Sequence, residues 1–304
     1  MAKEKLVARI IEILLDKYIV RDMSNDENIL EATVKGNIKK KNNILVGDIV
    51  EIEEMYDKNV IVNIQDRKNE LIRPPVANID NLVIVVSISN PSPDYILLDK
   101  QIILCKSKNI TPIICINKID LESENEEVKQ NIKYIEKVYL NLGVKIVYTS
   151  AKKKVGMEEL DILLEGKISA FSGNSGVGKS SITQILIPEK GKIEINSVSE
   201  KNNKGRHTTK YVKLYKLRKD TYILDTPGFS SYELYDIESK TIKDYYSEFS
   251  NCNCDYADCN HIKEDMSVCA VKMAVEDGKI DKQRYERYVY IYEKIKEKED
   301  RKYK

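Results

Sequence analysis

Three glycines, a lysine and three serines follow a short apolar segment near the middle of the chain, at a spacing that suits phosphate binding. Glycine has no Cβ, so the backbone of such a loop can turn its N–H groups toward phosphate oxygens. The lysine then brings a cation to the β- and γ-phosphates, and the hydroxyl after it ligates Mg²⁺. This predicted phosphate loop comprises Gly173, Asn174, Ser175, Gly176, Val177, Gly178, Lys179, Ser180 and Ser181.

Two motifs upstream of the phosphate loop predict which base is bound. In the NKxD motif, the carboxylate of Asp120 can accept hydrogen bonds from N1–H and the exocyclic amine of guanine, and adenine lacks both donors on that edge. We expect Asn117 to tie this segment to the phosphate loop and the stem of Lys118 to cover the base. The second motif places a backbone N–H (that of the alanine) near guanine O6 and comprises Ser150, Ala151 and Lys152. The predicted ligands are therefore GTP and GDP rather than ATP.

A DxxG motif downstream predicts the contacts to the γ-phosphate. Asp225 should hold the Mg²⁺ shell, and the N–H of Gly228 should meet the γ-phosphate. One of Thr208 and Thr209 should complete the magnesium site, and we favour Thr208. His207 lies directly before them and is our candidate for positioning the attacking water; the alternatives are a histidine that caps the loop or contacts RNA.

Hydrolysis by this chain alone is expected to be slow. The residue after the DxxG motif is Phe229, where Ras-like proteins keep a glutamine that orients water, and phenylalanine cannot do so. Another group or a partner should supply the missing function, and such a partner typically contributes about 10³–10⁵-fold. The preceding stretch 187–219 holds 10 Lys/Arg and 3 Asp/Glu and is predicted to be a basic switch. A binding module gated by nucleotide, in which hydrolysis is incidental, is the alternative.

The order of these motifs along the chain is rotated. An ordinary GTPase runs from the phosphate loop through the switch threonine and DxxG to NKxD and SAK. Here NKxD (117–120) and SAK (150–152) precede the phosphate loop, while DxxG (225–228) follows it. The cyclic order is intact, so the sequence predicts a circular permutation that leaves the nucleotide site unchanged in space.

A cluster of cysteines near the C-terminus predicts a metal site. Three thiolates and one imidazole within a short segment are the ligand set of a closed, structural Zn²⁺ site. Cys252 competes with the next cysteine for the first ligand position. Cys105 and Cys115 are expected in the core, because a chain predicted to be cytoplasmic uses cysteine for metal binding or packing rather than disulfides. The candidate zinc ligands are Cys254, Cys259, His261 and Cys269.

The elements that must position these residues predict a multidomain α/β protein. Residues 1–70 show short alternating strands and predict a five-stranded barrel of the OB type. The lysines at 39–41 are its most favourable phosphate contact or a solvated turn, since the segment holds 12 Lys/Arg against 14 Asp/Glu. Residues 76–235 alternate apolar strands with helices (96–106, 128–140, 158–164 and 179–186), which predicts a doubly wound sheet with each nucleotide motif at a strand's carboxyl end.

Residues 236–304 are predicted to be a helical zinc-binding domain. A helix is expected over 241–249, before the cysteines, and two more after them. The last helix carries an apolar stripe that either packs against the rest of the protein or, less favoured, stacks on RNA; the stripe comprises Tyr285, Tyr288, Val289, Tyr292 and Ile295. A linker is predicted at 73–75, where two prolines disfavour both helix and central strand.

Composition favours a soluble protein. The chain has 304 residues and a net charge of +1, so only local patches could attract nucleic acid. Its longest apolar run, 82–88, is too short to cross a bilayer, and no signal-peptide pattern follows the N-terminal apolar residues. We expect a cytoplasmic protein with no membrane partner.

The permuted motifs, the barrel and the cysteine cluster together closely resemble the RsgA/YjeQ family. The matching segments include GNSGVGKSS (173–181), GRHTT (205–209), DTPGF (225–229), CDYADCNH (254–261) and RYERY (284–288). The resemblance implies a GTPase that is stimulated by the small ribosomal subunit, contacts its rRNA and acts late in its maturation. It also implies that Cys254 rather than Cys252 is the first zinc ligand, and that His207 takes part in hydrolysis. We expect a monomer.

Overall fold

The computed structural model describes residues 5–15, 17–36, 43–124, 126–187, 212–225, 234 and 236–302. Within these ranges one sheet of eleven strands runs through the molecule, and a two-stranded hairpin stands apart. Among the described residues, none of the helices has the length and apolarity that a membrane span needs.

The first five strands close into a barrel, as predicted. Strand β4 pairs with β1 as well as with β5, which completes the ring. Alternate side chains of each strand fill the interior, and Ala8, Ile10, Val20, Val50 and Ile61 are fully buried there. The lysines at 39–41 lie outside the described residues. The barrel strands are β1 (Leu6–Leu14), β2 (Lys17–Asp22), β3 (Ile29–Val34), β4 (Ile49–Met55) and β5 (Lys58–Ile64).

The predicted linker is a small hairpin of β6 (Glu70–Ile72) and β7 (Pro75–Ala77). Pro75 begins an edge strand, a position where its missing N–H is tolerated. Arg67 reaches the fully buried Asp48 through Nε at 2.7 Å and a second nitrogen at 2.9 Å. This bidentate ion pair fixes the hairpin against the barrel, so the segment is an ordered joint.

The central domain is a doubly wound α/β sheet. Strand β8 is buried at every residue, with Ile84 and Val86 facing α1 and α2 and Val83 and Val85 facing α3 and α4. Burial on both faces explains its uninterrupted apolar sequence. The strands are parallel except β12, which runs antiparallel to β13. The elements are β8 (Asn81–Ser87), α1 (Tyr95–Ser107), β9 (Thr111–Asn117), a 3₁₀ helix (Ile119–Glu124), α2 (Glu126–Tyr139), a 3₁₀ helix (Leu140–Leu142), β10 (Lys145–Thr149), α3 (Met157–Leu163), β11 (Ile168–Ser172), α4 (Lys179–Leu186), β12 (Lys213–Arg218) and β13 (Thr221–Asp225).

The barrel joins the central domain through β12. Glu12 of β1 is the register partner of Lys213, and their side chains form an ion pair of 2.6 Å. The loop between β2 and β3 adds Asp26, whose carboxylate accepts from Lys216 at 2.7 Å and from the Tyr222 hydroxyl at 3.1 Å. Barrel and central domain therefore share one continuous sheet, with the strand order β10-β9-β8-β11-β13-β12-β1-β2-β3-β5-β4.

The C-terminal unit packs on the α1 and α2 face of the central domain. It consists of 3₁₀ helices Ser239–Tyr245 and Ser247–Phe249, α5 (Ala270–Glu276) and α6 (Lys282–Lys302). The predicted helix over 241–249 is thus two 3₁₀ helices, because Tyr246 takes an extended conformation that interrupts it. The apolar stripe of α6 packs against the main core, with Tyr288 fully buried beside Phe249. This confirms the packing interpretation of the stripe.

Candidate nucleotide and metal sites

The predicted phosphate loop connects β11 to α4, and two of its glycines stand where no side chain fits. A Cβ on Gly173 would lie 2.2 Å from the carbonyl oxygen of Val85, and one on Gly178 would lie 2.2 Å from Nδ2 of Asn117. Both glycines have positive φ, 135° and 102°, in the range that glycine tolerates. Gly178 is the N-cap of α4 and has no side chain to bond the first N–H groups of that helix. These N–H groups and the helix dipole favour an anion at this end.

Side chains divide the phosphate loop into an anchored part and an open part. Val177 is buried in the core below the loop. Lys179 folds back across the loop and donates to the carbonyl oxygens of Gly173 at 2.6 Å and Asn174 at 2.7 Å. Its partial burial lowers the pKa of the ammonium, because loss of water disfavours the charged form. The residues that face solvent, and so can receive a ligand, are Ser175, Gly176, Ser180 and Ser181.

Asn117 joins three segments that are far apart in the sequence. Its Nδ2 donates to the carbonyl oxygen of Val177 at 2.8 Å. Its Oδ1 accepts from the N–H of Ala151 at 3.1 Å and from the hydroxyl of Thr149 at 3.2 Å. Asn117 is almost fully buried, at 2% exposure, so these bonds are shielded from water. The structure therefore brings the NKxD, SAK and phosphate-loop segments together at one edge of the sheet.

Asp120 lies at the outer end of this group. Its Oδ1 accepts from the Ser150 hydroxyl at 2.6 Å. This bond is the main reason that the pKa of Asp120 lies below its usual value, and the nearby charges of Lys152 and Lys153 lower it further. Lys118 has a left-handed backbone and donates through Nζ to the carbonyl oxygen of Asn90. Asp120 is thus held as a carboxylate, the form that accepts the two donors of guanine.

The contacts predicted for the γ-phosphate fall largely outside the described residues. The backbone of Asp225 ends β13, which runs parallel to β11 with Leu224 opposite Ala170. Asp225 is therefore at the same edge of the sheet as the phosphate loop. His207, Thr208, Thr209, Gly228 and Phe229 lie outside the described residues.

The four candidate zinc ligands converge on one point. Their ligand atoms all lie within 4.8 Å of one another. The Nδ1 of His261 is 3.5 Å from the sulfur of Cys254, 3.3 Å from that of Cys259 and 3.5 Å from that of Cys269. A tetrahedral zinc ion with bonds of about 2.0–2.3 Å separates its ligand atoms by about 3.5–3.8 Å. The geometry thus fits the ion closely.

The electrostatics of this cluster also suit a metal. Burial lowers the pKa of His261, which favours the neutral imidazole that ligates. Burial raises the pKa of Cys259 to about 12, so its thiolate needs a cation to be stable. Cys252 stands apart, with its sulfur 3.9 Å from the carbonyl oxygen of Glu248. Cys105 and Cys115 are fully buried in the central domain, as predicted.

Two residues near the nucleotide site were missed at the level of sequence. Thr149 is fully buried and bonds both Asn117 and the carbonyl oxygen of Ile116 at 3.3 Å. Asp94 caps α1 and also accepts from the side chain of Asn174 at 3.3 Å. An aspartate directly before a helical segment is a capping signal, so Asp94 could have been found as a cap but not as a neighbour of the phosphate loop.

Comparison with known proteins agrees with this geometry. A family model described as RsgA GTPase matches residues 64–235. The chain is 42% identical, over 99% of both chains, to a protein of Caldanaerobacter subterraneus named small ribosomal subunit biogenesis GTPase RsgA. It is 38% identical to the Bacillus subtilis protein of the same name, over 96% of this chain and 98% of the relative. The crystal structure of YjeQ from Thermotoga maritima superposes with a TM-score of 0.82 at 33% identity and covers 96% of this chain and 99% of that chain. YloQ, described as a circularly permuted GTPase, gives a TM-score of 0.79 at 34% identity and covers 97% of this chain and 96% of its own.

Proposed function

Since the chain belongs to the RsgA family of GTPases, we propose that it binds the small ribosomal subunit and hydrolyses GTP during late maturation of that subunit. The observation that carries the nucleotide chemistry is the position of Asn117, which bonds segments on both sides of the permutation point. Motifs that are rotated in sequence therefore meet as one site, as binding of one guanine nucleotide requires.

The described residues suit distinct roles toward the nucleotide. Asp120, kept charged by Ser150, accepts from the guanine edge, and the N–H of Ala151 would exchange its bond to Asn117 for guanine O6. Lys179 exchanges its bonds to the loop carbonyls for the β- and γ-phosphate oxygens. Ser180, exposed at the start of α4, would hold Mg²⁺ together with Thr208 or Thr209 and the shell of Asp225. This ion neutralises charge on the phosphates when it is bound.

The hydrolytic step depends on residues known here from sequence. Phe229 cannot orient water, and His207 is the residue that we propose for this role. Stimulation by the small subunit would follow if the subunit positions His207 against the attacking water. A partner that completes a GTPase site in this manner contributes about 10³–10⁵-fold, or roughly 4–7 kcal/mol.

We propose that Cys254, Cys259, His261 and Cys269 hold one structural Zn²⁺ ion. Support comes from the convergence of three sulfurs and one imidazole nitrogen, and from the burial of two of the thiols. A closed site of this composition contributes to folding rather than to chemistry.

Contact with rRNA is proposed for the barrel, at residues 1–70, and for the zinc-binding domain, at 236–304, with the GTPase domain at 76–235 between them. The lysines at 39–41 are the proposed phosphate contacts of the barrel, because each neutralised phosphate releases condensed counterions. We propose a cytoplasmic monomer, since the partner of the chain is a ribosomal subunit.

The decisive experiment compares GTP turnover with and without purified small subunits. We expect the subunits to stimulate GTP turnover at least about a hundredfold. This is less than the roughly 10³–10⁵-fold that a partner typically contributes, because not every protein molecule is bound to a subunit. Stimulation of no more than a few-fold contradicts the proposal. The variant His207→Ala then separates a hydrolytic factor from a nucleotide-gated binding module, an alternative favoured by Phe229. A hydrolytic factor loses turnover on the subunit, whereas a binding module keeps both turnover and affinity.

A further inference from the structure

A buried ionic cluster fastens the C-terminal unit to the central domain. At its centre is Asp99 of α1, which is fully buried. Its carboxylate accepts from Arg287 Nε at 2.5 Å, from Arg284 and from the hydroxyl of Tyr139 at 2.6 Å. Both arginines belong to α6 and are themselves buried, at 2% and 9% exposure. Glu248 pairs with Arg284 as well, so two positive and two negative charges balance. We refer to Asp99, Arg284, Arg287 and Glu248 as the Asp99 cluster.

Such a cluster specifies position more than it adds stability. Desolvation of two ion pairs opposes their attraction, and an apolar replacement is often equally stable. Planar guanidinium groups, however, bond carboxylates and stack on rings in one geometry only. Arg284 lies 4.6 Å from the ring centre of Tyr246, and Arg287 lies 5.4 Å from that of Tyr95. The cluster therefore fixes α1 relative to α6 in a single arrangement.

The same helix contacts the phosphate loop on an adjacent face. Asp94 uses Oδ1 to cap α1 at the N–H of Leu97 and Oδ2 to accept from Asn174 at 3.3 Å. Gln101 donates to the hydroxyl of Ser172, which directly precedes the loop, at 2.5 Å. Positions 94 and 101 are seven residues apart and lie on one face of a helix, as do positions 95 and 99, which are four apart. One face of α1 thus holds the loop and the neighbouring face holds the C-terminal unit.

We propose that Asp99 and its arginine partners are positioning residues for the phosphate loop, acting through Asp94 on Asn174. The path is short: Arg287 touches Tyr95 and Asp99, and Tyr95 is adjacent in the chain to Asp94. The C-terminal unit is then part of the frame that shapes the nucleotide site. This inference rests on the nucleotide site proposed above, and it adds a route that depends on no residue of the switch segments.

The first test measures nucleotide affinity in the full-length, zinc-loaded protein carrying Arg287→Met. Asp99 keeps Arg284 as a bonded partner in this variant, but the cluster is left with one negative charge in excess, so the melting temperature is measured beside the affinity. We expect the Kd for a fluorescent GDP analogue and the KM for GTP to rise about 5- to 30-fold, within the usual range of coupling between sites. The matched control is Lys137→Met, which removes an exposed ion pair of 3.2 Å to Asp281 at the same seam but touches α2 instead of α1. It should change both constants by less than about twofold.

The second test asks whether the effect passes through Asn174. In the Asn174→Ala background, Arg287→Met should weaken GDP binding by less than about twofold, because the contact that transmits the effect is already absent. Full additivity overturns the proposal. It is also overturned if Arg287→Met lowers the melting temperature while the Kd and KM stay within about twofold of wild type, the result that a purely structural cluster predicts. Wild-type protein that fails to bind GDP would instead contradict the nucleotide site itself.

A milder variant keeps the proposal testable if Arg287→Met does not fold. Lys106, in the last turn of α1, donates to the carbonyl oxygen of Tyr245 at 3.0 Å and to the hydroxyl of Ser247 at 3.1 Å. Lys106→Met removes these contacts to the C-terminal unit and leaves all four residues of the Asp99 cluster in place, although it also removes a charge that interacts with Glu248 and Arg284. We expect a two- to fivefold rise in the Kd for GDP, about the effect of losing one or two part-exposed hydrogen bonds. An unchanged Kd in this variant counts against α1 as the connecting element.

Discussion

Replacing Asn117 by alanine tests whether the nucleotide site depends on one side chain that joins its loops. The side chain is 2% exposed and makes three hydrogen bonds, of 2.8, 3.1 and 3.2 Å. Their partners are the carbonyl of Val177 in the phosphate loop, the N–H of Ala151 and the hydroxyl of Thr149. Asn117→Ala removes all three bonds. The carbonyl of Val177 and the N–H of Ala151 then lose a hydrogen-bond partner.

The magnitude follows from the number of bonds. A buried hydrogen bond contributes about 1 kcal/mol net, so the three together amount to about 3 kcal/mol. These bonds exist before nucleotide binds, and part of the loss therefore appears as a lower free energy of unfolding. The rest appears on binding, since the nucleotide must then bring the loops together itself. If half of the loss is expressed there, about 1.5 kcal/mol, the Kd for GDP rises about tenfold.

Two measurements separate these contributions. Urea unfolding of the nucleotide-free protein gives the first, and titration with a fluorescent GDP analogue gives the second. Thr149→Val is the matched control, because it keeps the volume of a fully buried side chain and removes one of the three bonds. We expect its Kd to rise by less than about threefold. The reasoning is refuted if Asn117→Ala lowers the unfolding free energy by about 3 kcal/mol but leaves the Kd unchanged, since Asn117 would then support the fold alone.

Three further predictions concern the metal cluster and the glycines. Cys254→Ser should abolish stoichiometric zinc and lower the melting temperature, whereas Cys252→Ser should keep zinc; metal analysis of both purified variants decides this. Zinc affinity should rise between about pH 6 and pH 8, because burial raises the pKa of Cys259 to about 12 and zinc binding must displace its proton. Competition with a chelator across this pH range measures the slope, and an affinity that does not change with pH contradicts thiolate ligation. Gly178→Ala should weaken GDP binding at least tenfold, about 1.4 kcal/mol. The reason is that φ of Gly178 is +102° and a Cβ there would lie 2.2 Å from the side-chain amide nitrogen of Asn117. Gly166→Ala is the control and should bind GDP normally, because φ is +65° there and the space around a Cβ is open.

Local sequence patterns predicted the parts of the fold that depend on local physics. Strand β8 could be predicted because its five central residues, 82–86, are apolar without interruption. The barrel could be predicted because its strands alternate with glycine and polar turns. Helix α1 was predicted to within one residue at each end, 96–106 against Tyr95–Ser107. The segment 241–249 was predicted to be helical without a helix type, and it forms two short 3₁₀ helices.

The Asp99 cluster shows what local patterns cannot predict. Asp99 stands in the segment YILLDKQIILCKS, where a charged residue between apolar ones indicates the solvent face of an amphipathic helix. It is fully buried because Arg284 and Arg287, about 185 residues away, supply its partners. No periodicity within either helix records such a pair. Helical spacing predicted packing for the tyrosines of the RYERY segment, but its arginines were part of the family resemblance alone. Their physical role follows from the contact between α6 and α1.

The two domains outside the GTPase core contact it at two different elements that adjoin the nucleotide site. The barrel pairs with β12, the strand at the C-terminal end of the basic stretch 187–219. Lys213 and Lys216 of this strand form ion pairs with barrel residues. The C-terminal unit holds α1, whose first turn contacts the phosphate loop. Circular permutation places the chain connections of the core near these same regions, the barrel ahead of β8 and the C-terminal unit after β13. A movement of either domain on the ribosome would therefore displace β12 or α1. Each of these two elements contacts a segment of the nucleotide site. We propose that these non-covalent contacts, together with the chain connections, transmit an effect of ribosome binding to the nucleotide site.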